Sequence, residues 1–295
     1  MQAREAPEWF QRHLEVPFER VRSQVHGCAI EHAIWGDRDK PGLILVHGGL
    51  AHFHWWRFLA PFFTEDYCVI APDISGHGES GRRERYTGED WASEIAEAAS
   101  FSNHALPPVV IGHSLGGLLS LLATANHPGR FRALIIVDAP IIQKNQSQAE
   151  GQRGKSYLHI TPYPNLDIAM RRFRLLPDQP VGHPYIFDFL AEASLRQAPK
   201  GWIWKFDPAV FLHAKRREWS ELFAGIEVPM AFIRGEQSSI VPPHVRAALV
   251  EAGQGRLAMV DVPDAHHHIM LDQPQAFVTS LRALLAAWKI ADLEA

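Results

Sequence analysis

The chain has 295 residues, 46% of them hydrophobic, and its 29 Lys and Arg against 33 Asp and Glu leave a net charge of −4, a balance that excludes a disordered chain and the basic stripe of a nucleic-acid binder. Its two cysteines, Cys28 and Cys68, form no CxxC pair, which excludes a disulfide framework and a zinc ribbon. The opening residues lack a basic-then-apolar secretion signal and no stretch of about 18 uncharged apolar residues occurs, so the expectation is a soluble, cytoplasmic chain with no membrane partner.

Two alternating segments, 16–24 and 28–35, flank His26-Gly27 and predict a hairpin. Beyond the polar turn at 36–42, runs that are apolar at every position recur. They are Leu43-Ile44-Leu45-Val46, Cys68-Val69-Ile70-Ala71, Val109-Val110-Ile111, Leu134-Ile135-Ile136-Val137, Met230-Ala231-Phe232-Ile233 and Leu257-Ala258-Met259-Val260. Such runs suit strands buried on both faces, as in a parallel sheet covered by helices.

Helical patterns lie between them. Thr87 and Asp90 predict a capping box ahead of a helix over 91–100. Residues 115–126 are helical in period and stop before Pro128. Asp272 with Gln275, and Pro274 in the first turn, predict an N-cap and a helix to about residue 290. The alternation predicts an α/β fold with a mostly parallel, twisted, doubly wound sheet.

Residues 141–217 break the alternation. They contain no buried-strand run yet carry Tyr157, Tyr163, Phe173, Tyr185, Phe187, Phe189, Trp202, Trp204 and Phe206. The expectation is a largely helical insertion, opened by the polar stretch 143–156, between core segments 1–140 and 218–295. Most of its aromatics are expected to pack it onto the sheet. If Trp202, Trp204 and Phe206 lie on an extended stretch, their spacing of two puts them on one face.

The strongest chemical signal is Gly112-His113-Ser114-Leu115-Gly116-Gly117, between a predicted strand and a predicted helix. In that context the pattern is a nucleophile elbow, a tight turn that lifts the Ser114 hydroxyl above the sheet edge. Glycines at 112 and 116 let neighbouring backbone pass where a Cβ would clash, and the helix start aims N–H groups at developing negative charge.

With these residues in view the sequence resembles the α/β-hydrolase family over roughly 25–140 and 225–290. His47-Gly48-Gly49-Leu50 resembles the family's oxyanion loop, and Asp73-Ile74-Ser75-Gly76-His77-Gly78-Glu79-Ser80 its D-x-x-G-x-G-x-S segment. His267 stands where the family keeps its catalytic histidine, although His266 replaces the small residue usual before it. The resemblance implies that Ser114 is the nucleophile and His267 the base that takes its proton. It also implies that Leu115 N–H and Gly49 N–H, with Leu50 as a close neighbour, are the oxyanion donors, and that His47 supports the loop.

The third member is less plainly marked. Many relatives keep an Asp in the loop that here reads Arg234-Gly235-Glu236-Gln237-Ser238, and the aligned residue is Ser238. Asp138, which ends the strand after the nucleophile, is the first choice of acid; Glu236 is the second, and no carboxylate at all is the third. The histidines at 266–268 also raise the question of a metal. Adjacent histidines on a loop rarely converge on one ion without help from Asp or Cys, so no metal and no cofactor is expected.

Ser114 argues against dehalogenase and epoxide hydrolase chemistry, which on this fold uses an Asp nucleophile. The expected function is that of a serine hydrolase, a carboxylesterase acting on a small, largely apolar ester. The alternatives are a carbon–carbon bond hydrolase, which His268 rather than Trp after His267 disfavours, a cofactor-free dioxygenase, and a hydrolase-like small-molecule receptor. His52, Phe53, His54, Trp55 and Trp56 follow the oxyanion loop, with the tryptophans expected to pack a helix and one histidine to line the site. Arg171, Arg172 and Arg174 are expected on the surface rather than as a carboxylate anchor. The partner is a small molecule rather than nucleic acid, and a homodimer is left open.

Overall fold

The computed structural model describes residues 6–141, 161–211 and 219–294. The stretch 143–156 and Tyr157 lie outside the described residues.

The chain opens with a helix that sequence reading did not anticipate, α1 (Glu8–Glu15), whose Phe10 is buried against Phe58, Tyr185 and Phe189. Eight residues with few apolar positions give too short a pattern to read as a helix; docking onto the core stabilises it. The predicted hairpin follows as β1 (Glu19–Val25) and β2 (Cys28–Trp35), paired antiparallel.

The apolar runs then form β3 (Gly42–Val46), β4 (Cys68–Pro72), β5 (Val109–His113) and β6 (Ala133–Val137), with α2 (His54–Arg57), α3 (Gly88–Ala98) and α4 (Leu115–Asn126) between them. Thr87 caps α3 as expected: its hydroxyl accepts the Asp90 N–H at 3.1 Å. Such a cap stabilises a helix by about 1 kcal/mol. The segment that follows β6 holds a separate hairpin of β7 (Leu195–Ala198) and β8 (Gly201–Trp204), and after it come β9 (Met230–Gly235) and β10 (Leu257–Val262).

These eight strands make one sheet in the order β1-β2-β4-β3-β5-β6-β9-β10, parallel from β4 to β10. Successive residues of its strands enter opposite cores. Leu43, Leu45, Val109, Ile111, Ile135 and Val137 pack on one face, and Ile44, Val46, Val110, Leu134 and Ile136 on the other. A two-residue period buried on both sides requires the continuous apolar runs seen in the sequence.

One local expectation is corrected and another gains detail. The segment between β6 and β9 is not built of helices alone among the described residues. Besides short helices at Leu166–Met170 and Pro184–Ala193 it holds an antiparallel hairpin, β7 (Leu195–Ala198) with β8 (Gly201–Trp204). Strands of four residues, mostly half-buried, leave no continuous apolar run to read. Asp272 does not cap the last helix, which runs Pro274–Glu294 and so outlasts the expected end. Asp272 closes the short helix Ile269–Asp272 instead, and its carboxylate accepts the His266 N–H and a Gln179 side-chain N–H. No described helix is long and apolar enough to cross a membrane.

Candidate active site

The site forms where the parallel strands end at their carboxyl edge. His113 on β5 pairs with Val137 on β6, so the next residues, Ser114 and Asp138, emerge side by side. Both turn sharply, with φ of 53° at Ser114 and 46° at Asp138. Non-glycine residues rarely adopt such values, and the turns persist because the surrounding backbone fixes them. The Ser114 N–H donates to the Val137 carbonyl and the Asp138 N–H to that of Ile233, each at 2.9 Å.

The glycines around the elbow are forced by contact. A Cβ on Gly112 would stand 2.2 Å from the Gly116 carbonyl oxygen, and one on Gly116 would stand 2.4 Å from that of His47.

A continuous hydrogen-bond chain joins three side chains from three parts of the sequence. The Ser114 hydroxyl donates to His267 Nε2 at 3.0 Å, and His267 Nδ1–H donates to Asp138 Oδ2 at 2.7 Å. The carboxylate can only accept, which places the imidazole proton on Nδ1 and leaves the Nε2 lone pair facing serine. His267 and Asp138 are buried, whereas Ser114 is half-buried.

Asp138 is held from two further directions. Its Oδ1 accepts the Gly235 N–H at 3.1 Å, and its Oδ2 accepts the Ser238 hydroxyl at 2.5 Å. Ser238 in turn accepts the Ile240 and Val241 N–H groups, each at 3.1 Å. Glu236, the second choice of acid, is exposed, and its carboxylate accepts the Asp264 N–H at 3.3 Å. Of the candidates, Asp138 is therefore the carboxylate that reaches His267.

The neighbouring histidines separate by their partners. His266 faces Asp272, with Nδ1 3.2 Å from its carboxylate. His47 is fully buried, donates from Nδ1 to the Gly48 carbonyl and accepts the Ile74 N–H at Nε2. Burial, with His77 nearby, lowers its pKa to about 3, which suits a neutral strut tying the 47–50 loop to the 73–80 loop. His113, inside the elbow motif, was not singled out by sequence reading. Its Nε2–H donates to the His267 carbonyl at 3.0 Å, so it braces the backbone carrying the imidazole. A histidine directly before the serine was the available signal. Burial also holds the pKa of His113 and of His268 well below the ordinary range.

Leu115 is the first residue of α4, and Gly49 is exposed beside it, where an added Cβ would stand 3.6 Å from Leu115 Cδ2. Neither N–H meets a protein acceptor among the described residues. Leu50, with φ of 63°, turns the loop. Asp73 holds the adjoining loop by accepting the Phe53 and Glu79 N–H groups, and burial pushes its pKa up to about 7.

Aromatics behind the loop mostly pack. Trp56 stacks on Phe277 and Trp55 lies against His268. His52 donates to the Ser194 hydroxyl. Trp204 packs on Tyr163 and Phe173, and the half-buried Phe206 bridges to His77 through the backbone. Arg171, Arg172 and Arg174 are exposed. Chemically, the arrangement pairs a hydroxyl with an imidazole whose Nδ1 is held by a carboxylate, next to two open N–H donors.

Residues 43–280 match the family model described as the alpha/beta hydrolase family. Among curated proteins, Esterase Rv0045c of Mycobacterium tuberculosis is 24% identical, over 89% of this chain and 88% of its own length. The pimeloyl-[acyl-carrier protein] methyl ester esterase of Chromobacterium violaceum is 27% identical over 82% and 92% of the two chains. Among solved structures, E-2-(acetamidomethylene)succinate hydrolase superposes with a TM-score of 0.79 at 20% identity, covering 92% of this chain and 100% of its own; at that identity the likeness concerns the fold.

Proposed function

Because the chain belongs to the alpha/beta hydrolase family, and its full-length relatives include named esterases, we propose that it is a serine carboxylesterase cleaving small, largely apolar esters through an acyl-enzyme on Ser114. The observation that carries this reading is the hydrogen-bond chain from Ser114 through His267 to Asp138.

A serine hydroxyl scarcely ionises at neutral pH, so it needs a base at the moment of attack. His267 Nε2 takes the proton as Ser114 Oγ bonds to the ester carbonyl carbon, and returns it to the leaving alcohol. Asp138 holds the Nδ1 proton in place and offsets the charge on the imidazolium. The oxyanion accepts the Leu115 and Gly49 N–H groups, a class of donor worth roughly 3–4 kcal/mol each. Water then attacks the acyl-serine with His267 again as base, releasing the acid and regenerating Ser114.

The preference for apolar substrates follows from the surroundings. The uncharged His268 packs against His267 and Trp55 packs against His268, and the arginines at 171, 172 and 174 are exposed. The segment between β6 and β9 would act as the cap over this site. A fluorophosphonate probe should label Ser114 in the wild type and fail on Ser114→Ala. A panel of p-nitrophenyl esters of increasing chain length then sets the acyl preference. A wild type that shows neither labelling nor ester turnover sinks the reading.

A further inference from the structure

The backbone around His267 is held at three successive residues by three different side chains. Asp272 Oδ2 accepts the His266 N–H at 2.7 Å, His113 Nε2–H donates to the His267 carbonyl at 3.0 Å, and Gln179 Oε1 accepts the His268 N–H at 2.9 Å. Asp272 closes the short helix that follows, and His113 belongs to the elbow. The half-buried Gln179 comes instead from the segment between β6 and β9. Its amide is used at both ends: while Oε1 takes the His268 N–H, Nε2–H donates to Asp272 Oδ1 at 2.9 Å. A backbone N–H can only donate and a carboxylate only accept, so these partners fix which way the amide faces. Asp272 is buried, and Gln179 supplies one of the donors that satisfy its carboxylate. The Leu176 carbonyl faces the His268 ring, so the same stretch meets the loop at a second point.

We infer that Gln179 is a positioning residue for His267, clamping the loop that carries the imidazole through the His268 N–H and Asp272. The ring must meet Ser114 Oγ and Asp138 Oδ2 at once, at 3.0 Å and 2.7 Å. Bonds of that length tolerate little drift, and a misplacement of about 1 Å can cost on the order of 100-fold in rate. Fixing the backbone on both sides of residue 267 limits that drift. Gln179 acts at one remove, since its partners are the N–H of the following residue and the carboxylate that holds the preceding one. An alanine at 179 removes both contacts. A glutamate keeps the acceptor for the His268 N–H but turns like charge onto Asp272. Exchanging the two groups, Gln179→Glu with Asp272→Asn, restores the pattern: the new amide donates to the new carboxylate and still accepts the His266 N–H.

The inference rests on His267 serving as the base for Ser114, so one of its two readouts needs no turnover. Steady-state kinetics on one p-nitrophenyl ester compare the full chain as wild type, Gln179→Ala, Gln179→Glu, Asp272→Asn and the double variant Gln179→Glu with Asp272→Asn. Gln179→Ala should lower kcat on the order of 10-fold with KM nearly unchanged, the scale of one or two lost hydrogen bonds. Gln179→Glu should lower it further, and the double variant should turn over faster than either of its single variants. A wild-type kcat in Gln179→Ala, an effect confined to KM or to Tm, or a double variant no faster than its singles overturns the role. If Gln179→Ala does not fold, the double variant against Gln179→Glu decides. In parallel, amide hydrogen exchange is followed in wild type and Gln179→Ala. Peptides covering 264–272 should exchange faster in the variant, and those covering 109–118 should not. Equal exchange at 264–272 overturns the clamp while leaving an active esterase intact. If the wild type hydrolyses no ester, the proposed function falls, and the exchange still decides whether Gln179 holds this loop.

Discussion

The Ser238 hydroxyl donates to Asp138 Oδ2 at 2.5 Å, on the same oxygen that receives His267 Nδ1–H. Ser238 stands where the family resemblance places an acid, on the loop after β9, while the carboxylate comes from the end of β6. The two strands are neighbours, with Val137 paired to Ile233, so a side chain from either end can reach one imidazole nitrogen. Which strand end supplies the carboxylate that meets His267 therefore follows from spatial adjacency rather than from place in the chain.

Asp138→Asn should lower kcat by roughly 10⁴-fold, because an amide there favours the wrong imidazole tautomer and offsets no positive charge. Glu236→Gln should leave turnover nearly unchanged, since that carboxylate is exposed and bonded to the Asp264 N–H. Steady-state kinetics on one ester checks the ranking; the reverse order would transfer the role to Glu236.

Ser238→Ala removes one donor to the carboxylate and leaves two backbone N–H groups without their acceptor. A fall of roughly tenfold in kcat with little change in KM is expected, from the loss of a hydrogen bond worth about 1.5 kcal/mol to a charged group. The double variant Asp138→Asn with Ser238→Asp should recover part of the activity lost by Asp138→Asn alone. No recovery would mean that the loop after β9 cannot aim a carboxylate at His267.

Gly116→Ala should destabilise the fold by about 1–3 kcal/mol, because the added methyl meets backbone that cannot retreat. The clash is with the His47 carbonyl oxygen, 2.4 Å away. In a protein of this size that corresponds to a fall in Tm of roughly 2–4 °C per kcal/mol. Gly49→Ala meets nothing closer than Leu115 Cδ2 at 3.6 Å and should melt like the wild type. Scanning calorimetry of the two variants distinguishes a glycine required by packing from one in open space.

Stability should fall on acidification. Seven histidines, the buried His32, His47, His52, His77, His113 and His268 and the half-buried His54, have pKa values lowered by desolvation, to about 3 for His32, His47 and His54 and about 4 for His77. The unfolded chain binds their protons below the ordinary histidine pKa of about 6.5 and the folded chain does not, so their contribution is full above that pH and lost below it. Asp73, raised to about 7, and Glu94, also raised by burial, act in the opposite sense. Seven groups against two give a Tm that drops between about pH 7.5 and about pH 5. A melting temperature that is flat or higher at the lower pH would contradict this assignment of neutral buried imidazoles.

The sequence alone carried the sheet and the elbow. Its apolar runs are continuous because strands buried on two faces tolerate no polar position, and Gly112 and Gly116 stand where any side chain would strike backbone. The apolar runs and the Gly-x-Ser-x-Gly spacing are each contiguous in the chain, so they leave a readable pattern even though Gly116 makes room for the distant His47. Which carboxylate meets His267, which of three adjacent histidines turns inward, and that His113 braces the base were settled only by the packing of distant segments. The short helix α1 and the β7–β8 hairpin belong with these, since each is too brief to show a period of its own and gains its stability from what it packs against. Ser114 and Asp138 lie side by side only because β5 and β6 pair in register. That proximity is set by hydrogen bonds between strands, and these have no counterpart in the local order of residues.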